Sequence, residues 1–392
     1  MPRRRFREFV NEEGWDQCKL GDISDITKLA GFEFTEHVVY SEKGNIIALR
    51  GLNVKNGQLI LDDVKYIDGS NFTKLSRSKL FVGDILFTYV GTVGEVAIIK
   101  ENDKFYLAPN VSRIRIKSDD SPQYISHYMR NNNFYNSVIF PLIATSSQPA
   151  LSMENIRLFN IKIPKSYEEQ NRISEFFSSL DNIITFNQHK LEKLKALKNA
   201  YLTQMFPSVG ECKPKLRFDG FNDEWEQRKL GDEVIEVVAG GDVDKGKIRN
   251  YGKYPVLANS LVNNGIVGYY NNYFRVKAPA VTVTGRGDVG HARARKVNFT
   301  PVVRLISIKS KHNVDFLEHA INNCNVINES TGVPQLTVPQ LSNYNIYFPK
   351  TIDEEEAIGE FFYKLEDIIK SHQRKLEKLQ NLKKAYLNEM FI

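Results

Sequence analysis

Two stretches of this chain are near-copies of each other, and they constrain its architecture more than any other feature. Residues 168–206 (EEQNRISEFFSSLDNIITFNQHKLEKLKALKNAYLTQMF) and 353–391 (DEEEAIGEFFYKLEDIIKSHQRKLEKLQNLKKAYLNEMF) align without a gap at an offset of 185, and 21 of 39 positions are identical. Self-similarity of this extent indicates an internal repeat. We therefore predict a tandem duplication with pseudo-twofold character, in which each stretch closes one half of the chain.

Shorter matches extend the duplication to the rest of the chain. WDQCKLGD at 15–22 is echoed by WEQRKLGD at 225–232, and Arg5-Phe6 by Arg217-Phe218. The segments that precede the long stretches, 148–164 and 333–349, also correspond. Between these matches the two halves diverge almost completely. The repeated residues therefore predict a common frame that holds different loops.

The spacing of apolar residues predicts that both long stretches are helices with a coiled-coil seam. Apolar positions alternate at steps of four and three, as in a packed helix pair. The expected seam consists of Ile173, Phe177, Leu180, Ile184, Asn187, Leu191 and Leu194 in the first helix and Ile358, Phe362, Leu365, Ile369, His372, Leu376 and Leu379 in the second. Its polar members, Asn187 and His372, would fix the register of an antiparallel pair if they faced each other, or else would lie at a solvated edge.

The fold class that follows is α+β, with two β-rich globular domains and two long helices packed as an antiparallel coiled coil. Alternating apolar residues and glycines predict a strand pair over 83–99 and its counterpart over 281–290, while 122–132 and 314–325 resemble short helices. The expected boundaries are a first globular domain at 1–164 with a basic segment at 1–13, a helix at 165–206, a linker at 207–224, a second globular domain at 225–349 and a helix at 350–392.

The distribution of charge favours a phosphate-bearing partner. The chain has 392 residues and a net charge of +6, but residues 168–206 are neutral and residues 353–392 carry −2, so the remainder carries +8. A positive excess on the globular halves suits nucleic acid. No apolar run reaches the length of a membrane span, and the basic N-terminus lacks the apolar region of a signal peptide. With three isolated cysteines, we expect reduced thiols and a cytoplasmic protein.

Motifs for catalysis are weak. The GxGxxG pattern at 285–290 is followed by a strand-like segment instead of a helix, so a turn is expected there. Residues 241–247 fit seven positions of a phosphate-binding loop, but Ile248 stands where a magnesium-binding hydroxyl is required. No histidine or cysteine spacing predicts a metal site, and we expect no catalytic centre.

Several loops carry residues of the types that read DNA, since Arg, Lys, Asn, Gln, Ser and Thr all bond to base edges or phosphates. In the first half the candidates are Arg50, Asn53, Lys55, Tyr89, Thr92, Ser146, Ser147 and Gln148. In the second half they are Lys245, Lys247, Arg249, Asn259, Ser260, Arg286, Arg293, Arg295 and Thr331. Each residue alone has an alternative reading as solvated surface.

Together these features resemble the specificity (S) subunit of type I restriction–modification systems. The resemblance rests on PKLRFDG…WEQRKLGD at 214–232 with its degenerate copy at 5–22, and on Glu-Gln-x-Arg-Ile at 169–173 leading into a repeated leucine-rich helix. It covers the whole chain in order. The second helix departs from the pattern, because Glu355 and Ala357 replace the Gln and Arg.

The resemblance implies a function and partners. Each variable segment would be a target recognition domain for one half of a split sequence in double-stranded DNA. The helices would set the gap and dock two modification (methyltransferase) subunits that carry S-adenosylmethionine. Restriction (translocase/nuclease) subunits using ATP and magnesium would join, while this chain would hold no cofactor or metal.

Two other functions compete with this interpretation. The first is a coiled-coil interaction scaffold with two β-rich ligand-binding modules and no DNA role. The second is a nucleotide-dependent enzyme that uses the loop at 241–247.

Overall fold

Residues 2–143, 148–324 and 334–391 are described by a computed structural model. The chain forms two compact units, and each contains residues from both repeats of the duplication. The first unit comprises residues 1–186 and 375–392, and the second comprises residues 187–374. Each long helix therefore contributes one half to each unit.

The first unit contains eleven short strands among its described residues. They are β1 (Asp16–Lys19), β2 (Ser24–Lys28), β3 (Ile47–Leu49), β4 (Val54–Lys55), β5 (Gln58–Leu59), β6 (Lys65–Tyr66), β7 (Ile85–Thr88), β8 (Val96–Ile98), β9 (Phe105–Leu107), β10 (Val111–Ile116) and β11 (Asn160–Ile163). Its helices are α1 (Leu20–Ile23), α2 (Gly31–His37), α3 (Pro122–Met129), α4 (Asn132–Phe134), α5 (Met153–Arg157) and the start of the long helix α6 (Tyr167–Gln204).

The second unit repeats this pattern with fewer elements. Its strands are β12 (Glu226–Lys229), β13 (Val234–Ala239), β14 (Tyr254–Leu257), β15 (Ile266–Tyr270), β16 (Ala280–Thr284), β17 (Ala292–Arg295), β18 (Thr300–Pro301), β19 (Leu305–Ser310) and β20 (Asn345–Phe348). Its helices are α7 (Leu230–Glu233), α8 (Val314–Asn322), α9 (Val338–Ser342) and the start of the long helix α10 (Ile352–Met390).

The sheets of the two units have matching topologies. An antiparallel four-stranded sheet has the order β2-β10-β7-β8 in the first unit and β13-β19-β16-β17 in the second. A three-stranded sheet has the order β6-β3-β9 or β15-β14-β18, with its last pair parallel in both cases. A two-stranded sheet, β1-β11 or β12-β20, joins the start of each half to the segment before its long helix. The hairpin β4-β5 belongs to the first unit and has no counterpart among the described residues of the second.

The predicted long helices are confirmed, with bounds within two residues of those expected. Ser166 and Thr351 accept hydrogen bonds from the backbone N–H groups of Glu169 and Glu354, so both helices begin with hydroxyl caps. Acidic residues occupy both first turns, where they interact favourably with the helix dipole. The predicted strand pairs and the two short helices are also present, as β7-β8, β16-β17, α3 and α8.

The helix seam is apolar and antiparallel within each unit. In the first unit, Phe176 packs edge-on against Tyr386 at 5.0 Å, and Phe177 stacks on Phe391 at 5.3 Å. In the second unit, Tyr201 packs edge-on against Phe361 at the same 5.0 Å. The buried members of the predicted seam are Ile173, Phe177, Leu180, Ile184, Asn187, Leu191, Ile358, Phe362, Leu365 and Leu376, while Leu194, Ile369, His372 and Leu379 are half-buried.

The two polar seam residues lie at somewhat different levels of the helix pair. In the second unit Lys198 pairs with Glu366 at 2.6 Å, and the register that this pair sets places His372 across from residues 190–192. Asn187 lies about one helical turn away from that level. His372 also keeps a buried Nδ1 atom without a hydrogen-bond partner in the described chain. The ion pair between Lys198 and Glu366 therefore contributes to the register of the helix pair.

The segment 207–224, expected to be a linker, contains no helix or strand but is firmly attached. Its Leu216 N–H donates to Gln204 O, and the N–H of Trp225, just past its end, donates back to Cys212 O, both at 2.8 Å. Within the described residues, no helix combines the length and the apolar character required to cross a membrane.

Candidate nucleic-acid interface

A hairpin loop in the first unit brings several predicted DNA-reading residues together. The loop joins β7 to β8 and is held by the segment that precedes α6, since Gly91 N–H donates to Pro149 O at 2.9 Å. This attachment places Thr92 and Gln148 on one surface. Both line a cavity of about 390 Å³ together with Arg50 and the side chains of Tyr40 and Asn110. Residues from five separate segments thus converge on one site.

The second unit builds the equivalent loop between β16 and β17 in the same way. Gly287 N–H donates to Pro334 O at 3.2 Å, and Leu336 N–H donates to Gly285 O at 3.0 Å. The loop contains the GxGxxG pattern, and strand β17 follows it, so the expected turn is confirmed. Arg286 is exposed at its tip and forms a backbone bridge with Gln335. The loop therefore presents a guanidinium group to solvent.

A repeated threonine shapes both loops. Thr88 Oγ1 donates to Thr92 O at 2.5 Å and accepts from Glu95 N–H at 2.9 Å. In the second unit the hydroxyl of Thr284 donates to Asp288 O and accepts from His291 N–H. The same side chain therefore closes both turns, although the residues displayed on them differ.

Three of the predicted DNA-reading residues make structural contacts within the protein. Asn53 is fully buried, because its Oδ1 accepts from Arg50 N–H and its Nδ2 donates to two carbonyls, so its amide caps a turn. The ring of Tyr89 lies in the core of the first unit, where it is 8% exposed. Asn259 uses its amide to link the backbone of Gly285 to that of Val303, so it positions a loop.

The remaining candidates differ in accessibility. Exposed side chains are those of Lys55, Thr92, Gln148, Lys245, Lys247, Arg249, Ser260 and Arg286. Arg50 is half-buried and pairs with Asp63 at 2.8 Å, while Arg293 and Arg295 are half-buried beside a cavity of the second unit. Ser146, Ser147 and Thr331 lie outside the described residues.

The structure does not support a nucleotide loop at 241–247. Residues Lys245–Lys247 form a short 3-10 turn, and Lys247 pairs with Asp244 at 3.0 Å. A phosphate-binding loop requires a helix whose N-terminus receives the phosphate. Here Asp244 already holds the lysine, and the next regular element after the turn is the strand β14.

A buried ion pair that was not predicted from the sequence occurs once in each unit. Arg5 donates two hydrogen bonds of 2.6 Å to Glu169, and Trp15 Nε1 donates to the same carboxylate at 3.4 Å. Arg217 donates to Glu354 at 2.6 and 2.7 Å, and Trp225 Nε1 donates at 3.2 Å. The repeated residues that revealed the duplication are those that form this anchor. Their recurrence was the available signal, because a bidentate pair explains why these types recur.

A second buried site explains the departure of the second helix from its copy. In the first unit Gln170 accepts from Ser121 N–H and donates to Asp120 and to Pro164 O. In the second unit Glu355 replaces Gln170, and His312 stands at the position that matches Asp120. His312 Nδ1 lies 2.7 Å from Glu355 Oε1. A carboxylate–histidine pair thus replaces an amide–carboxylate pair in the same place.

His312 is shared between two carboxylates. Its Nε2 lies 2.9 Å from Glu233 Oε2. Burial alone would lower the pKa of His312, but the hydrogen bonds with Glu355 and Glu233 outweigh burial and raise it. Burial alone would raise the pKa of Glu233, but hydrogen bonds from His312, Lys311 and Arg228 lower it to about 2. Folding therefore favours the protonated form of His312, which links Glu233 and Glu355 as an electrostatic clamp at the start of α10.

Glu318, His319 and Glu366 form a cluster that the spacing of the sequence did not reveal. Their ligand atoms lie within 4.8 Å of one another. However, Lys198 places its ammonium group 2.6 Å from Glu366, and Lys370 lies 3.5 Å from the same carboxylate. These cations supply the charge that a metal would supply, so we assign the cluster to a salt-bridge network.

Comparison with known proteins identifies the family. The model of the type I restriction modification DNA specificity domain matches residues 12–196 and 222–381. The chain belongs to this family. Two matches in one chain correspond to the two halves of the duplication, so DNA sequence recognition is its function, and a scaffold without a DNA role is not favoured.

Relatives and solved structures agree with this assignment. The chain is 24% identical over 350 residues to a putative type I specificity subunit of Mycoplasma pneumoniae, covering 86% of each. It is 22% identical over 412 residues to a putative type I restriction enzyme specificity subunit of Methanocaldococcus jannaschii, covering 97% of this chain and 96% of that protein. The crystal structure of an S subunit from M. genitalium shares its fold, with a TM-score of 0.72, 13% identity and coverage of 100% and 99%.

Proposed function

We propose that each unit reads one half of a split DNA target. The observation that carries the proposal is the repeated anchor: the same Arg–Glu–Trp constellation and the same pinned hairpin hold different loop residues in the two units. A common frame with different loops suits a protein that reads two different half-sites of one DNA target. Pseudo-symmetric proteins commonly bind DNA sites arranged in this way.

The accessible loop residues supply the chemistry of recognition. Thr92 and Gln148 in the first unit have the side-chain types that bond to base edges, as does Arg286 in the second. The exposed lysines Lys55 and Lys245 have the charge and reach for phosphate contacts, which hold the protein on the duplex without reading its sequence. The two groups should differ in their effect, because loss of a base contact relaxes specificity and loss of a phosphate contact weakens all binding.

The long helices act as spacer and docking surface in this proposal. Matched positions on them are equally exposed: Leu197 and Leu382 are both 43% exposed. Exposed apolar residues at matched places suit two identical partners. We propose that these partners are modification subunits that carry S-adenosylmethionine, and that restriction subunits with ATP and magnesium complete a cytoplasmic complex. This chain contributes recognition and no catalysis.

Exchange of one domain tests the proposal. Residues 14–164 would be replaced by the corresponding segment of another specificity subunit, and methylated sites would be mapped with the same modification subunit. We expect one half-site to change while the other half-site and the gap stay the same. The reciprocal exchange of 225–349 is the matched control and should change the other half only.

The spacer role is tested separately. Insertion of two helical turns at the same level of α6 and α10 should lengthen the unread gap and leave both half-sites intact. A change in the sequence of either half-site would contradict the role of the helices as a ruler.

A further inference from the structure

The second unit contains a cationic cavity of about 510 Å³ that the function described so far does not use. Its walls come from strands β16 and β17, the loop after β14, helix α8 and the parts of α6 and α10 that belong to this unit. Its polar lining includes Thr282, Thr284, Asn199, Ser260 and Asn322. The volume is within the range of small-ligand sites.

Cations outnumber carboxylates around this cavity. Lys195, Lys198, Arg293, Arg295 and Lys370 line it, against Glu318 and Glu366. Glu366 is already paired with Lys198 and Lys370. Glu318 accepts from Ala294 N–H at 2.7 Å, and burial raises its pKa, so its negative charge is disfavoured. The carboxylates therefore leave an excess of positive charge.

Arg295 is the most unusual member of the lining. Its Nε donates to Thr282 Oγ1 at 2.9 Å and its Nη1 to Asn264 O at 3.0 Å, both neutral acceptors. It forms no ion pair within the described chain. Burial, followed by repulsion from Arg293, lowers the pKa of Arg295 to about 10. A half-buried guanidinium beside another guanidinium is costly unless an anion joins them.

The equivalent place in the first unit is filled by protein. There the hairpin β4-β5 packs on β8, with a bridge between Gly57 and Ala97. Gln58 Nε2 donates to Thr185 on α6 at 2.6 Å, and Arg130 donates to Asn56 O at 2.7 Å. The hairpin thus covers β8, the end of α3 and α6 in the first unit. Their counterparts in the second unit, β17, α8 and α10, form walls of the cavity.

Two differences in the second unit leave the corresponding place uncovered and give it positive charge. The connection between β3 and β6 has fifteen residues, 50–64, whereas that between β14 and β15 has eight, 258–265. On the strand, pairing register aligns Ala97 with Arg293, because these residues oppose Leu86 and Thr282 at the same point of the hairpin. A covered apolar strand has therefore become an uncovered basic one.

We propose that this cavity binds a phosphate group through Arg293 and Arg295, with Lys195 as a further contact. The source is either the backbone of bound DNA, in which case the inference rests on the proposed function, or a free nucleotide. Guanidinium groups bind phosphate oxygens with paired hydrogen bonds. Thr284 and Asn199 add neutral polar groups to the lining.

The first test measures binding of the full chain to a mixed-sequence duplex over a range of salt concentrations. We expect Arg293→Gln to reduce the slope of log affinity against log salt by about one, the loss of one phosphate contact. Arg295→Gln should do the same, but its bonds to Thr282 and Asn264 also support the fold. Arg293 is held by its backbone, whose carbonyl accepts from Thr282 Oγ1, and among the described residues its guanidinium makes no hydrogen bond. Its variant therefore remains informative if Arg295→Gln folds poorly. Lys193→Gln is the control, because Lys193 is an exposed residue of α6 that lies outside the cavity. This variant should not show the reduction in salt slope expected for the cavity variants.

The second test separates the two phosphate sources. Thermal unfolding would be measured with inorganic phosphate and with AMP. Stabilisation of the parent chain that is lost in Arg293→Gln, with no change in the salt slope, would assign the cavity to a free nucleotide. An unchanged slope together with no phosphate-dependent stabilisation overturns the proposal. If the parent chain shows no salt-dependent duplex binding at all, the proposed function fails, and the AMP measurement still decides the cavity.

Discussion

At the scale of single residues, the anchors at Glu169 and Glu354 are the most demanding feature of the molecule. Each carboxylate is almost fully buried and satisfied by one arginine and one tryptophan. Removal of one member of such a pair leaves an uncompensated buried charge, which is more costly than loss of the attraction itself.

The anchor predicts a large loss of stability in Arg217→Ala. We expect about 3 kcal/mol of unfolding free energy to be lost, since Glu354 would remain buried without its partner. The chain has two tryptophans, one in each unit. In a Trp15→Phe background, the fluorescence of Trp225 during urea unfolding therefore reports on the second unit. Lys213→Ala breaks an exposed pair with Glu224 in the same unit and should cost less than about 1 kcal/mol. Equal losses in both variants would contradict the account.

The clamp around His312 predicts a pH dependence of the second unit. Because its pKa is raised on folding, its stabilisation is fully present below the unfolded pKa of about 6.5 and is lost as pH rises through the folded pKa. The low pKa of Glu233 acts in the opposite direction, so its stabilisation is present above 4.5 and is lost as pH falls towards about 2. Stability should therefore be greatest between about pH 4.5 and 6.5. In His312→Gln the decline on the alkaline side, measured by the same fluorescence, should largely disappear.

Residue identity alone could not predict which polar loop residues face DNA. Arg, Asn and Tyr in a turn suit a base contact and a structural cap equally well. Asn53 and Asn259 turned out to hold turns, since buried backbone groups require partners. Exposed charges such as Arg286 and Lys245 were found where expected, because a lone charged side chain rarely stays buried.

At the scale of elements, the long helices depend on aromatic contacts near their ends. Phe177 and Phe362 are fully buried, and each packs on a residue from the end of the other helix, Phe391 and Phe206 respectively. We expect Phe362→Ala to cost about 3–5 kcal/mol in the second unit. Phe186→Ala, at a position 68% exposed, should change stability by less than about 0.5 kcal/mol. Chemical denaturation of both variants gives the comparison.

Helix bounds and the main strand pairs could be predicted because their signal is local. A repeated 3–4 spacing marks a helix, and alternation between glycines marks a hairpin. The hairpin β4-β5 and the cavity that replaces it could not be predicted, because they depend on how a connection of a given length packs against distant strands. The register of the helices was missed for the same reason: ion pairs such as Lys198–Glu366 set it, and their partners are 168 residues apart.

At the scale of the whole molecule, duplication explains both the similarity and the differences between the units. Anchors, hairpin turns and helix starts recur because both units need the same frame. The connection between β14 and β15, the loop residues and the pair His312–Glu355 differ because each unit has its own surface. A chain built in this way is expected to recognise two different sequences at once.

Mapping adenine methylation at base resolution tests this claim most directly. Methylation-free cells would express this chain with the modification subunit encoded beside it, and cells with the modification subunit alone are the control. The account predicts a split motif that is methylated once in each half and is absent from the control. A single continuous motif, or no motif although both proteins are expressed and soluble, would contradict it.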